Sequence, residues 1–222
     1  MSLLAIDTST RASGIALYDG LAVRYECIWQ SREFHSVDLA PGIQQAFQKA
    51  GMKMEELQAV AVAIGPGSYT GLRIGLALAK GLAFANGLKL IAIPSLDILA
   101  AGQPVQELPM AAVLQAGRSR LAVGWYKLKK ERWIADDQPV LMSLQRLADM
   151  IKQPTLICGQ LEENERAVLG RKHKNAHMAS PAWGTRRPAL LAELGWARLQ
   201  AEELDDPRGL APIYLQAIEA PA

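Results

Sequence analysis

The sequence lacks the features that mark secreted, membrane-spanning and metal-binding proteins. It has two cysteines, Cys27 and Cys158, far apart and without a CxxC pair. Neither a disulfide framework nor a zinc knuckle is therefore expected, and both thiols are predicted to be reduced. No apolar run approaches the roughly 18 residues that span a bilayer. The segment from Met1 to Asp7 has no basic start and soon reaches an acid, which predicts a buried strand and not a secretion signal. We expect a cytoplasmic protein without membrane association.

Charge of one sign is also nearly absent. The 222 residues carry a net charge of +2, which is too weak to indicate nucleic-acid binding. Dense basic stretches occur at 171–174 and at Arg186-Arg187. We interpret them as solvated surface, and RNA contact is the less favoured alternative.

Histidine is scarce, with three in the chain. His173 and His177 have the spacing of a metal-binding helix, but flanking positive charges oppose a cation and no helix is predicted there. His35 opens a predicted helix, where an interface or capping role is favoured over catalysis. No metal site is predicted.

What the chain does have is alternating strand and helix patterns, which are typical of an α/β fold. In the first half we predict strands at 3–8, 13–18, 23–29, 59–64 and 90–93 and helices at 33–50, 70–86 and from Ser95 as N-cap. Pro41 should kink or split the first helix. In the second half we predict strands at 110–116, 121–127 and 155–158 and helices at 144–152 and 187–203. Composition loosens at 102–104, so the predicted domains are two related lobes, 1–103 and 104–222.

A glycine-rich turn at 65–71 joins a buried strand to a helix, a position where phosphate groups often bind. The turn matches neither the P-loop nor the GxGxxG pattern. In the following helix, small residues recur every four positions at Gly71, Gly75, Ala79, Ala83 and Gly87. A stripe of nearly bare backbone favours close approach of another element. The stripe predicts either packing on the protein's own sheet or contact with another chain.

Three segments carry a resemblance to a known family: 5–10 (AIDTST), 65–75 (GPGSYTGLRIG) and 212–215 (PIYL). They resemble the TsaB family, also called YeaZ and labelled as glycoprotease-like. The resemblance implies an actin/Hsp70/hexokinase-like (ASKHA) fold. It also implies a role in placing threonylcarbamoyl on adenosine 37 of tRNAs that read ANN codons. TsaB pairs there with its catalytic paralogue TsaD, alongside the ATPase TsaE.

The resemblance implies a non-catalytic subunit. TsaD carries an HxxxH metal pair within Asn-His-Leu-Glu-Ala-His, and the corresponding segment here is 95–100 (SLDILA). Leu96 and Ala100 take the two histidine positions, and neither can bind a metal. The chain also lacks HExxH and GxSxG. It departs from the family pattern at 115–118 and 158–160, which weakens nucleotide binding by this chain alone. No cofactor is expected for it, and ATP or ADP would bind at the partner or at a shared interface.

We therefore predict that the chain docks on TsaD through its first lobe. The predicted interface residues are His35, Val37, Leu39, Gly71, Leu72, Gly75, Leu76 and Ala79. Without TsaD, the same face should form a homodimer, and tRNA is contacted indirectly through the complex. A lower-ranked prediction is that the turn Asp7, Thr8 and Ser9 faces a nucleotide.

Three alternatives remain. One is an actin-like ATPase with its own site between the lobes, whose turnover is lost in Asp7→Ala. Another is a glycoprotein peptidase, and the third is a scaffold unrelated to tRNA. Fold alone does not decide among them.

Overall fold

The computed structural model describes residues 1–30, 35–117, 120–171 and 174–215. It divides into two compact units, Met1–Ile98 with Arg187–Ile213 and Leu99–Arg186 with Tyr214 and Leu215. Within the described residues, no helix combines the length and apolar character needed to cross a bilayer.

The first unit is built on a five-stranded sheet with strand order β3-β2-β1-β4-β5. The strands β1, β2 and β3 form an antiparallel meander, and β4 and β5 extend it in parallel with β1. Its strands are β1 (Ser2–Asp7), β2 (Ala12–Tyr18), β3 (Val23–Gln30), β4 (Leu57–Ala63) and β5 (Lys89–Ile93). Its helices are α1 (His35–Ala50), α2 (Tyr69–Asn86), α3 (Ser95–Ala101), which crosses into the second unit, and α6 (Pro188–Gln200).

The second unit repeats this strand order with other loops. Its sheet runs β11-β10-β6-β7-β8, with β9 paired to β7. β6 and β7 are antiparallel, and β10 and β11 are parallel to β6. The strands are β6 (Met110–Gln115), β7 (Leu121–Lys129), β8 (Arg132–Ala135), β9 (Val140–Met142), β10 (Thr155–Gly159) and β11 (Ala176–Met178). The helices are α4 (Leu144–Met150) and α5 (Glu163–Gly170). The predicted relationship between the two lobes is thus visible in their topology.

Strand periodicity gives the first sheet two buried faces. Leu4 and Ile6 of β1 point to the core under α1 and α2, and Leu3 and Ala5 point to the core under α6. Alternate side chains of a strand lie on opposite faces, so β1 reads as a continuous apolar run, as expected of a central strand.

The predicted domain boundary at 103/104 differs from the structure. Helix α6 belongs to the first unit, because Leu191, Ala192 and Leu199 cover the sheet face opposite α1 and α2. The segment after α6 then crosses the sheet edge, where the Asp205 N–H donates to the Leu90 carbonyl at 3.0 Å. Periodicity predicted the helix correctly but could not tell which sheet it covers.

Most predicted elements are present, with ends shifted by a few residues. α1 continues through Pro41, so the proline does not split it. Ser95, predicted as the N-cap, is instead the first residue of α3. Its hydroxyl accepts a hydrogen bond from the Gly65 N–H at 3.1 Å. The sequence analysis missed β8, β9, α5 and β11, three of which have four residues or fewer.

Candidate functional site: the α1–α2 helical layer

The glycine turn before α2 is tied down by its own chain. Ser68 caps α2, since its Oγ accepts the Gly71 N–H at 3.3 Å. The Ser68 N–H donates to the Ser9 carbonyl at 2.6 Å. A Cβ on Gly67 would lie 2.0 Å from that same carbonyl oxygen, so only glycine fits there. These hydrogen bonds fasten the start of α2 to the end of β1.

The polar turn after β1 is fully committed to internal hydrogen bonds. Asp7 Oδ1 accepts the Ser9 N–H at 2.8 Å and the Ser9 hydroxyl at 2.5 Å. The Thr8 hydroxyl donates to the Gly71 carbonyl at 2.7 Å. All three side chains are buried. The structure thus gives the turn a structural role, and a nucleotide facing Asp7, Thr8 and Ser9 stays a prediction.

The small-residue stripe of α2 faces the protein's own sheet. Gly71, Leu72, Gly75, Leu76 and Ala79 are all buried. A Cβ on Gly75 would lie 2.2 Å from Thr8 Oγ1, so the close approach predicted from sequence is to the end of β1. These five residues, predicted as partner contacts, are therefore core residues of this chain. The predicted close approach is present and its neighbour is β1 of this chain, whereas contact of these residues with a partner stays a prediction.

The α1 residues of the predicted interface fall into different environments. Leu39 is 1% exposed and belongs to the core under α1 and α2. Val37 is 65% exposed at the start of α1. The side chain of His35 lies outside the described residues. Of the eight predicted contacts, Val37 is thus the one described as accessible.

The opposite face of α2, which we call the outward face, consists of exposed Tyr69, Arg73, Ala77, Gly81 and Phe84. Phe84 is 93% exposed, and the space around a Cβ on Gly81 is empty to 4 Å. At the other end of the helix the Arg73 guanidinium stacks on the Tyr69 ring, 3.9 Å from its centroid, a cation–π contact. The outward face thus combines an exposed aromatic side chain with nearly bare backbone.

An apolar groove lies between α1 and α2, with a cavity volume of about 400 Å³. Seven of its nine lining residues are apolar, and two of them are methionines, which adapt readily to the shape of a bound surface. The lining residues are Ala40, Ile43, Gln44, Phe47, Gln48, Met52, Met54, Leu78 and Leu82. Single exposed apolar residues are ordinary on protein surfaces, but a groove of this kind is typical of a protein–protein contact.

On the other side of α1, a second cavity of about 420 Å³ opens toward β3. Tyr25, Cys27 and Trp29 form its strand side, and Val37 and Pro41 its helix side. Burial and a hydrogen bond with Cys27 raise the pKa of Tyr25 above its ordinary value. The phenol therefore stays protonated at neutral pH and offers no base.

The two positions that the resemblance matches to metal-binding histidines, Leu96 and Ala100, are buried in α3. Among the described residues, no three His, Cys, Asp or Glu side chains cluster in a way that could hold a metal. His177 lies on β11 and not on a helix, whereas His173 is outside the described residues. The absence of a metal site stays a prediction.

Comparison with known proteins identifies the family. A family model described as "TsaD: tRNA N6-adenosine threonylcarbamoyltransferase" matches residues 30–192. The chain is 33% identical to the tRNA threonylcarbamoyladenosine biosynthesis protein TsaB of Bacillus subtilis, across 100% of this chain and 97% of that protein. The chain belongs to the TsaB (YeaZ) family. The relatives in Bacillus subtilis and Haemophilus influenzae are both named as tRNA threonylcarbamoyladenosine biosynthesis proteins. This chain therefore has a role in the biosynthesis of that modified nucleoside.

Solved structures confirm the fold. A Pseudomonas aeruginosa protein described as similar to the peptidase YEAZ superposes with a TM-score of 0.81 and 24% identity, over 97% of this chain and 99% of that one. The ROK hexokinase of Thermus thermophilus superposes with a TM-score of 0.50 and 12% identity, over 87% of this chain and 99% of that one. The predicted ASKHA fold is therefore correct.

What the sequence analysis missed is the outward face. Neither of its exposed aromatic residues, Tyr69 and Phe84, was singled out from the sequence as exposed. Apolar residues occur on several faces of α2, so periodicity alone does not show which of them are exposed.

Proposed function

We propose that this chain is a non-catalytic partner subunit that docks on a TsaD-type threonylcarbamoyltransferase and activates it. The product would be threonylcarbamoyladenosine at position 37 of tRNAs that read ANN codons, with TsaE as a further component. The observation that carries the proposal is the outward face of α2 together with the apolar groove beside it, on a chain that belongs to the TsaB family.

The docking surface that we propose differs from the one expected from the sequence. The glycine stripe is buried against the protein's own sheet, so we do not place the docking surface there. The outward face and the groove carry Phe84, Leu78 and Leu82 on the accessible side. A homologous partner has a corresponding pair of helices, so helix-to-helix packing between the two chains is the contact that fits. Without TsaD, a second copy could occupy the same surface as a homodimer.

The hydrogen bonds of the Asp7 turn support a subunit without its own nucleotide chemistry. Asp7 already accepts two hydrogen bonds from Ser9, and Thr8 is bonded to Gly71. A nucleotide site built on these groups would compete with hydrogen bonds within the turn and with the Thr8–Gly71 bond that fastens α2 to β1. We therefore place ATP or ADP, where the complex uses it, at the partner or at the shared interface.

The test is size-exclusion chromatography with light scattering on this chain alone and mixed with the TsaD-type protein of the same organism. Phe84→Glu puts a charge on a 93% exposed side chain, so the fold should be retained while association is lost. Leu21→Glu is the matched control, because Leu21 is 95% exposed in the β2–β3 turn. Threonylcarbamoyladenosine formation in the reconstituted mixture should fall with association.

Two results would contradict the proposal. The first is a folded Phe84→Glu variant that associates and activates as the unmodified chain does. The second is ATP hydrolysis by the isolated chain that Asp7→Ala abolishes, which would favour an independent ATPase instead.

A further inference from the structure

The second unit carries a cationic hairpin that the proposed function does not use. Strands β7 and β8 are joined by a two-residue turn, Lys130-Glu131, and Lys129 lies directly opposite Arg132 in the register. Lys129, Lys130 and Arg132 are all exposed. We call the segment 127–136 the basic hairpin.

The basic hairpin keeps like charges together at a cost in stability. Side chains directly opposite each other in an antiparallel pair lie on one face about 5 Å apart, and like charges there are destabilising. No ion pair within the described ranges relieves Lys129 or Arg132. Lys127, on the same face, is instead paired with Asp136. The Lys129–Arg132 pair is thus a cationic site that an external anion would stabilise.

The turn adds a second unfavourable feature. Lys130 and Glu131 have φ values of 48° and 60°, the left-handed conformation that a two-residue hairpin requires and that Asn-Gly adopts most easily. For other residues this conformation costs roughly 1–2 kcal/mol each. Long charged side chains therefore occupy the two positions least suited to them, which favours a role for the side chains at the tip.

The basic hairpin is held rigidly by the body of its unit. The Trp133 indole N–H donates to the Gln103 carbonyl at 3.2 Å. Gln103 is itself buried, and its amide donates to the carbonyls of Leu99 at 3.2 Å and Trp183 at 2.7 Å. The pairing with β7 extends one residue beyond the end of β8, because the Asp136 N–H donates to the Trp125 carbonyl at 2.8 Å. The cations are thus presented on a fixed ribbon, so binding an anion would order little besides the side chains themselves.

We propose that the basic hairpin contacts the sugar-phosphate backbone of RNA, with tRNA as the class of ligand. Two cations at a fixed spacing on one face of a two-stranded ribbon suit a polyanion of regularly spaced phosphates, which such a ribbon can bind without reading sequence. The proposal rests on the proposed function, because membership of a tRNA-modification family favours RNA over an acidic protein surface.

The test measures binding of a fluorescent tRNA transcript by anisotropy, for the isolated chain and for its complex with the TsaD-type partner. The double variant Lys129→Glu/Arg132→Glu is compared with Arg146→Glu/Lys152→Glu. Both variants reverse two exposed cations of the second unit, so non-specific attraction falls equally in each. Thermal melting by circular dichroism checks that both remain folded.

We expect the hairpin variant to lose affinity for tRNA by roughly tenfold at low salt, since two phosphate contacts are removed. The slope of log K against log salt concentration should become shallower by about 2, one for each lost contact. The control variant should change both quantities little, and the affinity of either variant for the TsaD-type partner should be unchanged.

Three outcomes would overturn the proposal. Equal losses of tRNA affinity in both variants would mean attraction by net charge alone. If the unmodified chain binds no tRNA at 50 mM salt, either alone or in complex with the TsaD-type partner, tRNA is not the ligand. Loss of partner binding with tRNA binding retained would assign the hairpin to an acidic protein surface. Failure of the unmodified chain to bind the TsaD-type partner would instead count against the proposed function. The comparison of tRNA binding by the isolated chain and its variants would still test the RNA-binding role of the basic hairpin.

Discussion

Replacing Gly75 with alanine should destabilise the protein, although alanine is the better helix former. A Cβ at this position would lie 2.2 Å from Thr8 Oγ1 and 3.6 Å from Thr8 Cγ2. Thr8 cannot move freely, because its hydroxyl holds the Gly71 carbonyl at 2.7 Å and its side chain is fully buried. The new methyl group must therefore displace a hydrogen-bonded side chain at the point where β1 and α2 are joined.

The magnitude follows from three contributions. Overpacking a well-packed core costs about 1–3 kcal/mol, and weakening the Thr8 hydrogen bond costs about 1 kcal/mol more. The higher helix propensity of alanine stabilises the folded state by about 1 kcal/mol relative to glycine. The free energy of unfolding should thus fall by about 1–3 kcal/mol. Gly81→Ala on the same helix is the matched control, since its Cβ meets nothing within 4 Å, and it should raise the free energy of unfolding by about 1 kcal/mol.

Urea unfolding followed by circular dichroism measures both variants. In a Thr8→Ala background the obstructing oxygen is gone, so Gly75→Ala should cost at least 1 kcal/mol less than in the unmodified chain. If Gly75→Ala is as stable as Gly81→Ala, the stripe does not pack on Thr8 and the buried assignment is wrong. Tryptophan at Gly75 should prevent folding of the first unit, so a loss of association in that variant would not locate a docking surface.

Three further predictions concern other parts of the chain. Lys130→Asn/Glu131→Gly should raise the free energy of unfolding by about 2–4 kcal/mol, because each of two left-handed residues is relieved of roughly 1–2 kcal/mol, and a lower midpoint in urea would refute the turn geometry. Asp205→Ala should cost about 1–3 kcal/mol, because Asp205 Oδ2 accepts the Ala92 N–H at 2.8 Å and pairs with Arg198 at 3.2 Å. Limited proteolysis should then cut after α6, whereas exposed Asp206→Ala should not promote cutting. Burial raises the pKa of Cys158 to about 12, so iodoacetamide at pH 8 should label half-exposed Cys27 before Cys158, and early labelling of Cys158 would contradict its burial.

The Cys158 shift also sets a pH dependence. Its pKa is raised in the folded state, so the folded state holds the proton more tightly than the unfolded chain does. The stabilising contribution is complete below the unfolded thiol pKa, near 9, and is lost as the pH rises from there toward 12. Unfolding midpoints should therefore decline above pH 9, and Cys158→Ala should remove this part of the decline.

The sequence predicted the fold well where local pattern and tertiary role agree. Most of β1, β4 and β5 is apolar without interruption because both faces of the sheet are covered, and Gly87, which follows α2, has the left-handed conformation. Prediction failed where the outcome depends on distant partners. Helix α6 was found, but its assignment to the first sheet depends on packing that no local pattern encodes, such as the contact of Gly195 with Ala61.

The candidate site shows the same division. The four-residue spacing of Gly71, Gly75 and Ala79 correctly predicted a close approach. It could not say whether the approaching element is Thr8 or another protein, since both demand small residues. The exposed position of Phe84 depends on which face of α2 the sheet occupies, and that became clear from the buried stripe.

The buried and the exposed faces of α2 together explain how a subunit without chemistry of its own could act on a partner. Because Ser68, Thr8 and Gly75 fix the helix to β1, its outward face is held in place before any partner arrives. A pre-organised surface loses little conformational freedom on docking. Because the surface does not adapt to the partner, it binds best the partner conformation that matches it. Binding can therefore shift the partner's helices toward that conformation. Loosening the inner face with a tolerated variant such as Thr8→Ala should therefore weaken activation of the TsaD-type protein even though every outward residue is intact.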